Sequence, residues 1–449
     1  WSSDVCSSDL WLLVFFMANP GGVTEVFLSK SQMGGFYYFD IFFLLSFAVV
    51  FFGPFNANLF FKNKTARGIF LVMLFFVFYK IIVWGLIVPE VSFSDFVRYT
   101  LIRERSTIFG FFYFIPVYLF ARRDIKSFLS IIIIFNSIIV LATLLTIVFG
   151  LDLMQVDQFE RYHGSNTLRY LIRSYNFLLL LIPCALTIII GKIRVKYFNI
   201  LVLGGCLVVI IIIISITKGL YISAVGMIVS ATWMTIKLLK IRVHKSFFRI
   251  AIAAGLLIFS LGLLFPKYLE YSQKAFQDIF MLATEGETTE GETSRYWQIP
   301  AFMHEISQHP FLGTGHGYDQ LSKEFDINQF DATDFPLLAG MMQYGAIGIS
   351  IYLIYYLRLF QIIKGILKKL ASLGRAKILR FYKYEFIFSI MSIAYMVGYF
   401  LRFYQIFSEL INGVELIIMS INTGILIACF ERINIKSQVE YSSQLKVSD

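Results

Sequence analysis

Long apolar runs separated by short polar segments dominate the hydrophobic pattern of this chain. A helix needs about 20 apolar residues to cross the roughly 30 Å hydrocarbon core of a bilayer, and most of these runs reach that length. The runs lack the strict alternation of apolar and polar residues expected of a transmembrane barrel, so they indicate helices. The pattern predicts about twelve transmembrane helices, at residues 10–28, 36–60, 66–88, 107–121, 127–150, 174–191, 197–216, 219–240, 247–265, 336–360, 384–405 and 409–430.

A long polar segment lies between the ninth and tenth predicted helices. Its middle predicts a short amphipathic helix that begins near Pro300 and places Phe302 and Ile306 one turn apart. The predicted fold is therefore all-α, a polytopic transmembrane bundle with one large, partly helical loop. The predicted organisation is helices one to nine in residues 11–265, the loop in 266–335, helices ten to twelve in 336–430 and a tail in 431–449.

Basic residues collect in every second predicted loop, which is the pattern expected of cytoplasmic loops. These loops hold 22 Lys and Arg residues against one acidic residue, Asp124, and eight of the 22 fall in residues 358–383. The long loop lies on the opposite, outer side and holds twelve acidic residues against four basic ones. This alternation predicts that both termini are cytoplasmic.

The composition agrees with a membrane protein and limits other classes. Apolar residues make up 58% of the chain, charged residues 15%, and the mean hydropathy is +0.72. The net charge of +10 comes from loop residues that topology explains, so no nucleic-acid partner is expected. The four cysteines lack zinc or disulfide spacing, and no metal or cofactor is expected. The first ten residues, WSSDVCSSDL, are interpreted as a non-native remnant.

Several basic residues fall on the outer side, where the charge rule gives no reason for them. Arg161, Lys218, Arg295 and Arg402 are the candidates for binding an anion. Arginine binds phosphate oxygens with two parallel hydrogen bonds, so a cluster at the outer surface would suit a lipid-linked pyrophosphate. The alternative is pairing with lipid headgroups or with acidic neighbours. Lys218 and Arg402 are the sharper candidates because charges in apolar surroundings are costly and usually functional.

The end of the long loop carries further candidates. Gly313 and Gly315 allow a close backbone approach and could turn N–H groups toward an anion, although a simple tight turn is an equal alternative. His316 or Asp334 could act as a general base, but surface histidines are often inert, and an Asp before a helix is often an N-cap. Trp297 and Tyr318 could stack on sugar rings or belong to the interfacial aromatic belt.

Four short motifs occur in order along the chain. They are Arg161-Tyr162-His163-Gly164, Thr217-Lys218-Gly219, Arg295 and Trp297 followed by His309-Pro310-Phe311-Leu312-Gly313-Thr314-Gly315, and Gly345 with Gly348. Taken in this order they resemble the motifs of the O-antigen ligase and polysaccharide polymerase superfamily. The second motif has Lys218 where the family carries Arg.

This resemblance implies a bacterial inner-membrane glycosyltransferase with about twelve spans, a periplasmic active site and no metal. The implied donor is a glycan on undecaprenyl pyrophosphate, the implied acceptor is the hydroxyl of a second lipid-linked glycan, and a chain-length regulator is a possible partner. Arg295, with Lys218 and Arg161 or Arg402, would hold the pyrophosphate. Asp334 or His316 would take the acceptor proton.

One departure from the family pattern bears on whether the chain resembles the ligases or the polymerases of the superfamily. Ligases carry a His-Asn pair about eleven residues before the helical glycine, where this chain has Asp334-Phe335. The missing histidine favours a polymerase over an O-antigen ligase. A flippase or transporter for the same lipid-linked glycan is a third interpretation, and it would place its cations along a cavity through the bilayer midplane.

Overall fold

Most of the membrane bundle is described by a computed structural model of the chain. The described residues are 44, 47, 58–87, 110–151, 156–160, 168–172, 179–215, 218–241, 298–314, 336–402 and 413–448. Six helices in these ranges are long and apolar enough to cross a membrane. The protein is therefore an α-helical, multi-pass membrane protein. The predicted spans at 10–28 and 247–265 and most of 36–60 lie outside the described residues.

The described part of the chain contains helices and one pair of strands, in the following order. They are α1 (Asn58–Lys62), α2 (Lys64–Ile87), α3 (Phe114–Arg123), α4 (Ile125–Phe149), β1 (Val156–Glu160), β2 (Leu168–Ile172), α5 (Leu181–Gly191), α6 (Phe198–Ser215), α7 (Lys218–Leu239), α8 (Gln298–Gln308), α9 (Pro336–Ser372), α10 (Arg375–Phe381), α11 (Lys383–Leu401) and α12 (Gly413–Ser448).

Local sequence signals set the ends of helix α4 close to where the apolar run predicts them. The Asp124 carboxylate accepts hydrogen bonds from the backbone N–H groups of Lys126 and Ser127, at 3.1 and 3.0 Å, and so caps the first turn. Gly150 ends the helix in the left-handed conformation, with φ +66°. Helices α2, α7 and α11 also agree with their predicted spans within a few residues.

Helix α9 extends twelve residues beyond its predicted end at residue 360, so the basic segment 358–383 is not a loop. Ile362, Ile366 and Leu370 are buried on one face, whereas Lys364 and Lys368 are exposed on the other. This spacing is the amphipathic period of a helix. Average hydropathy falls in this segment because three of the twelve residues 361–372 are lysines, and the prediction therefore ended the helix too early.

Two other segments differ from the predicted organisation. Strands β1 and β2 form an antiparallel hairpin, with Val156 opposite Ile172 and Glu160 opposite Leu168, in a segment predicted as an outer loop. Helix α12 continues without a break to Ser448, so residues 431–448 are part of a helix and not a separate tail.

A close helix crossing joins α7 and α11 through two glycines. A Cβ atom on Gly226 would lie 3.2 Å from the Cα of Gly398, and one on Gly398 would lie 2.6 Å from the Ser223 carbonyl oxygen. Small residues let helix backbones approach in this way inside a membrane. Helix α7 also contacts α10, which lies about 25 Å from Gly398 along α11. From the crossing at Gly226, only the longer, C-terminal part of α7 can reach α10, which lies next to the start of α11. The C-terminal part of α7 therefore runs toward the start of α11, so α7 and α11 are antiparallel.

A network of charged and polar side chains ties helices together at one end of the bundle. The Glu385 carboxylate, 1% exposed, lies 2.8 Å from both the Arg432 Nε and the Lys436 Nζ. Glu431 pairs with Arg122 at 3.0 Å. Glu431 also accepts hydrogen bonds from the Asn63 amide, at 3.0 Å, and from the Tyr118 hydroxyl. We call this set the ion network, and it joins the start of α2, the end of α3, the start of α11 and the middle of α12.

The helices that meet in the ion network run from it to an opposite end of the bundle. Tyr79 follows Asn63 by sixteen residues, about 24 Å of helix, and Arg402 follows Glu385 by seventeen residues, about 26 Å. Because both residues lie so far from the ion network on neighbouring helices, Tyr79 and Arg402 both belong to the opposite end of the bundle. The relative directions of α2, α3, α9, α11 and α12 are those that the alternating charge pattern predicts, and which end is cytoplasmic stays a prediction.

We predict that Glu385→Gln destabilises the protein. The substitution leaves the Arg432 and Lys436 cations without their buried anion, and the expected loss is about 2 kcal/mol after allowance for the partial exposure of both cations. A thiol-reactive dye can follow thermal unfolding in detergent because Cys184 and Cys429 are buried and free. Glu305→Gln is the matched control, since Glu305 makes no ion pair within the described ranges. Equal unfolding midpoints for the two variants would contradict the prediction.

Candidate functional site

Helix α9 is broken at Gly345, about a quarter of the way along its length. Gly345 has φ +59° and ψ −178°, a conformation that L side chains rarely adopt, so the helix consists of two segments that meet at this residue. A break exposes N–H groups at the start of the second segment and carbonyl groups at the end of the first. Inside a membrane protein these groups need partners, because lipid offers none.

Residues 309–314 of the long loop supply those partners. The Ala346 and Ile347 N–H groups donate to the carbonyl oxygens of Pro310 and Phe311, at 2.9 and 3.1 Å. In the other direction, the Thr314 N–H donates to the Met342 carbonyl oxygen at 2.7 Å. We call this arrangement the joint, and we call the end of the bundle that contains it the joint end.

Both glycines of the joint are required by close backbone approach. A Cβ atom on Gly313 would lie 2.5 Å from the Gln343 carbonyl oxygen, and one on Gly345 would lie 2.5 Å from the Gly313 nitrogen. The Gly313 N–H donates to the His309 carbonyl oxygen at 3.0 Å. This amide is therefore used inside the turn, and the expectation that it faces an anion is corrected: Gly313 allows the loop to dock on α9.

Tyr79 of helix α2 secures the joint from the side. Its hydroxyl lies 2.8 Å from the Tyr344 carbonyl oxygen and 3.1 Å from the Leu312 carbonyl oxygen. A Cβ atom on Gly348 would lie 2.6 Å from the Cε1 of Tyr79, so only glycine leaves room for this ring. The motif glycines Gly345 and Gly348 thus have separate structural roles.

Lys80 is a buried cation at the joint end that the sequence analysis did not select. Its side chain is 3% exposed, and its Nζ lies 5.6 Å from the centre of the Tyr344 ring. This geometry is a cation–π interaction with the residue that precedes the helix break. The available signal was a lysine within the apolar run 66–88, since charges at membrane depth are rare and usually functional.

Arg402 is buried where helix α11 ends. The side chain is 2% exposed, and its guanidinium carbon lies 5.3 Å from the centre of the Tyr399 ring. Lys218 is the first residue of α7, and its side chain lies outside what the structure describes. Lys218 lies eight residues before Gly226 on α7, and Arg402 lies four residues after Gly398 at the end of α11. Because the two helices are antiparallel, both residues lie in the same direction from the crossing. Their Cα atoms thus lie on the same side of the crossing, about 12 and 6 Å from it.

A continuous path of aromatic rings connects Arg402 with the joint. Each ring in the path lies 5.2 to 5.7 Å from the next, which is the usual spacing of interacting aromatic pairs. The path therefore fixes the packing of α11 against α9 and α2 at the joint end. Its rings are those of Tyr399, Phe400, Tyr356, Tyr352, Phe76 and Tyr344.

Most of the sequence-predicted site residues lie outside the described ranges. Gly313 and Arg402 are described with their side-chain surroundings, and Lys218 only through its backbone. Helix α8 confirms the predicted amphipathic helix of the long loop, with Phe302 buried. The residues outside the described ranges are Arg161, Arg295, Trp297, Gly315, His316, Tyr318 and Asp334.

No group of three or more His, Cys, Asp or Glu side chains able to hold a metal ion occurs in the part of the chain that the structure describes. The acidic residues of the long loop fall outside this part, apart from Glu305. Because most of these acidic residues lie outside the described ranges, the absence of a metal from the chemistry stays a prediction.

We predict that Gly345→Ala opens the joint. Alanine at φ +59° is strained, and its Cβ would collide with Gly313 and Phe311, so the loop must move; the expected cost exceeds about 2 kcal/mol. Limited proteolysis in detergent should then cut near residues 309–314 faster than in the unmodified protein. Gly68→Ala is the control, because this helical glycine has open space around it. Equal cleavage of the two variants would show that the joint tolerates a side chain.

Comparison of the sequence with protein-family models and with curated proteins finds no match. The resemblance to the O-antigen ligase and polysaccharide polymerase superfamily therefore stays an expectation that depends on the ordered motifs of the sequence.

Proposed function

We propose that this membrane protein is a polysaccharide polymerase. It would transfer a glycan from undecaprenyl pyrophosphate to the hydroxyl of a second lipid-linked glycan. The proposal includes a bacterial inner-membrane location, about twelve spans, cytoplasmic termini and an active site at the periplasmic face, formed at the joint end of the bundle.

The observation that carries the proposal is the common location of its candidate residues. The backbone of Lys218, the buried guanidinium of Arg402 and the docked loop all belong to the joint end, opposite the ion network. The loop also carries Arg295, three residues before α8, and Asp334 precedes α9 by two residues. The proposal therefore assigns these residues, which are distant in sequence, to one face of the bundle, as a site for a lipid-linked anion requires.

The distribution of buried charge favours an enzyme over a transporter. Among the residues that the structure describes, the charged side chains classed as buried are Lys80, Glu385 and Arg402. Lys80 and Arg402 lie at the joint end, and Glu385 is neutralised in the ion network at the other end. A transporter for a charged lipid-linked glycan would be expected to place cations near the bilayer midplane, between the joint end and the ion network.

In the proposed reaction, the acceptor hydroxyl oxygen forms a bond to the anomeric carbon of the donor glycan. The bond between that carbon and the pyrophosphate oxygen breaks, and undecaprenyl pyrophosphate leaves with the electron pair. Because the leaving group is already anionic, catalysis depends on cation stabilisation and on positioning. Arg295, with Lys218 and Arg161 or Arg402, would hold the pyrophosphate, and Asp334 or His316 would accept the proton. Trp297 and Tyr318 would contact sugar rings.

We predict that Arg295→Ala abolishes long polymer while the protein remains inserted in the membrane. Loss of a charge-assisted contact to the leaving pyrophosphate should lower the transfer rate about 100-fold or more. Polysaccharide gels report chain length, and immunoblots of membrane fractions report insertion. Arg380→Ala removes the same charge from an exposed position on α10 and is the matched control. Normal chain lengths in the Arg295→Ala strain would remove this residue from the mechanism.

Reconstitution separates the polymerase from its two rivals. Purified protein in vesicles, supplied with a synthetic undecaprenyl-pyrophosphate-linked repeat unit alone, should form products of two or more units. An O-antigen ligase would need lipid A-core as acceptor and would form no polymer from the donor alone. A flippase would move the repeat unit across the vesicle membrane without joining units, and either result would reject the polymerase.

A further inference from the structure

The joint lies between the two parts of the chain that carry the predicted catalytic residues. Arg295 precedes helix α8 by three residues, which can span at most about 10 Å, and Asp334 precedes α9 by two, at most about 7 Å. Helix α8 contacts α9, and the joint directly follows α8. The docking of the loop on α9 therefore fixes the described elements that follow Arg295 and Asp334 in the sequence.

One side chain from a third helix holds both halves of this arrangement. The Tyr79 hydroxyl lies within hydrogen-bonding distance of the Leu312 carbonyl oxygen on the loop and the Tyr344 carbonyl oxygen on α9. The Tyr344 carbonyl oxygen belongs to the residue before the break in α9, where the regular backbone hydrogen bonds of the helix are interrupted. The hydroxyl thus bridges two backbones that contact each other through glycines.

We propose that Tyr79 is a positioning residue of the transferase, an inference that rests on the proposed function. Through the joint it keeps residues 309–314 fixed on helix α9, next along the chain to the segments that carry the predicted catalytic residues, although it contacts neither substrate nor reacting atoms. Removing the hydroxyl would leave the loop attached by the remaining backbone hydrogen bonds but able to shift. A shift of about 1 Å in a catalytic group is enough to lower a rate strongly.

The test compares Tyr79→Phe with the unmodified protein in reconstituted vesicles that contain the synthetic lipid-linked repeat unit. The expected result is a kcat about 10-fold or more lower, with the KM for the repeat unit changed less than about threefold, because binding groups remain while their alignment is lost. Tyr355→Phe is the matched control. It removes another buried tyrosine hydroxyl of the bundle, 2.6 Å from the Thr423 Oγ1, and should retain both constants.

Hydrogen exchange provides a readout that does not depend on activity. The amides of Thr314, Ala346 and Ile347 donate across the joint, so they should exchange about 10-fold or more faster in Tyr79→Phe and unchanged in Tyr355→Phe. Thr314→Val is a second variant that folds with little change of shape. It removes the Thr314 Oγ1 hydrogen bond to the Met342 carbonyl oxygen, at 3.2 Å, and should lower kcat in the same direction.

The outcomes distinguish this inference from the proposed function. An unmodified protein that joins no repeat units rejects the polymerase itself. An active unmodified protein with an equally active Tyr79→Phe variant rejects the positioning role. Faster exchange at the joint with full kcat rejects it too, since the tyrosine would then hold the loop without affecting the reaction.

Discussion

The need of every backbone polar group for a partner inside lipid governs this structure. Helix α9 could not tolerate a break inside the bundle unless other groups replaced the lost hydrogen bonds. Residues 309–314 and the Tyr79 hydroxyl provide them, so a segment of the long loop becomes part of the bundle. The glycines follow from the same constraint, because two backbones that satisfy each other directly leave no space for a Cβ atom at Gly313 or Gly345.

The two ends of the bundle are stabilised by different interactions. At one end, carboxylates on α11 and α12 pair with cations, and the helix ends are held by charge and hydrogen bonds. At the joint end, backbone hydrogen bonds, a ring path and two buried cations over tyrosine rings replace ion pairs as the main described contacts.

The sequence predicted the elements whose signals are local. Helix α4 shows this, because its apolar length, its Asp124 cap and its terminal Gly150 all lie within the segment. It could not predict the extension of α9, where charged positions alternate with buried ones, or the break at Gly345, which depends on a loop about thirty residues earlier. The glycine motif was recognised, but its role depends on which backbone it approaches. Lys80 and Tyr79 were missed because an apolar run gives no indication of which residues face inward.

The ion network has a consequence for the membrane itself. A membrane-spanning bundle must not conduct protons or ions, because leakage would dissipate the gradient across the bilayer. Glu385 is 1% exposed and neutralised by Arg432 and Lys436, and the Tyr118 hydroxyl and the Asn63 amide both donate to one carboxylate oxygen of Glu431. Because its carboxylates are paired with cations, this end of the bundle presents few uncompensated charges to an ion that would cross the membrane.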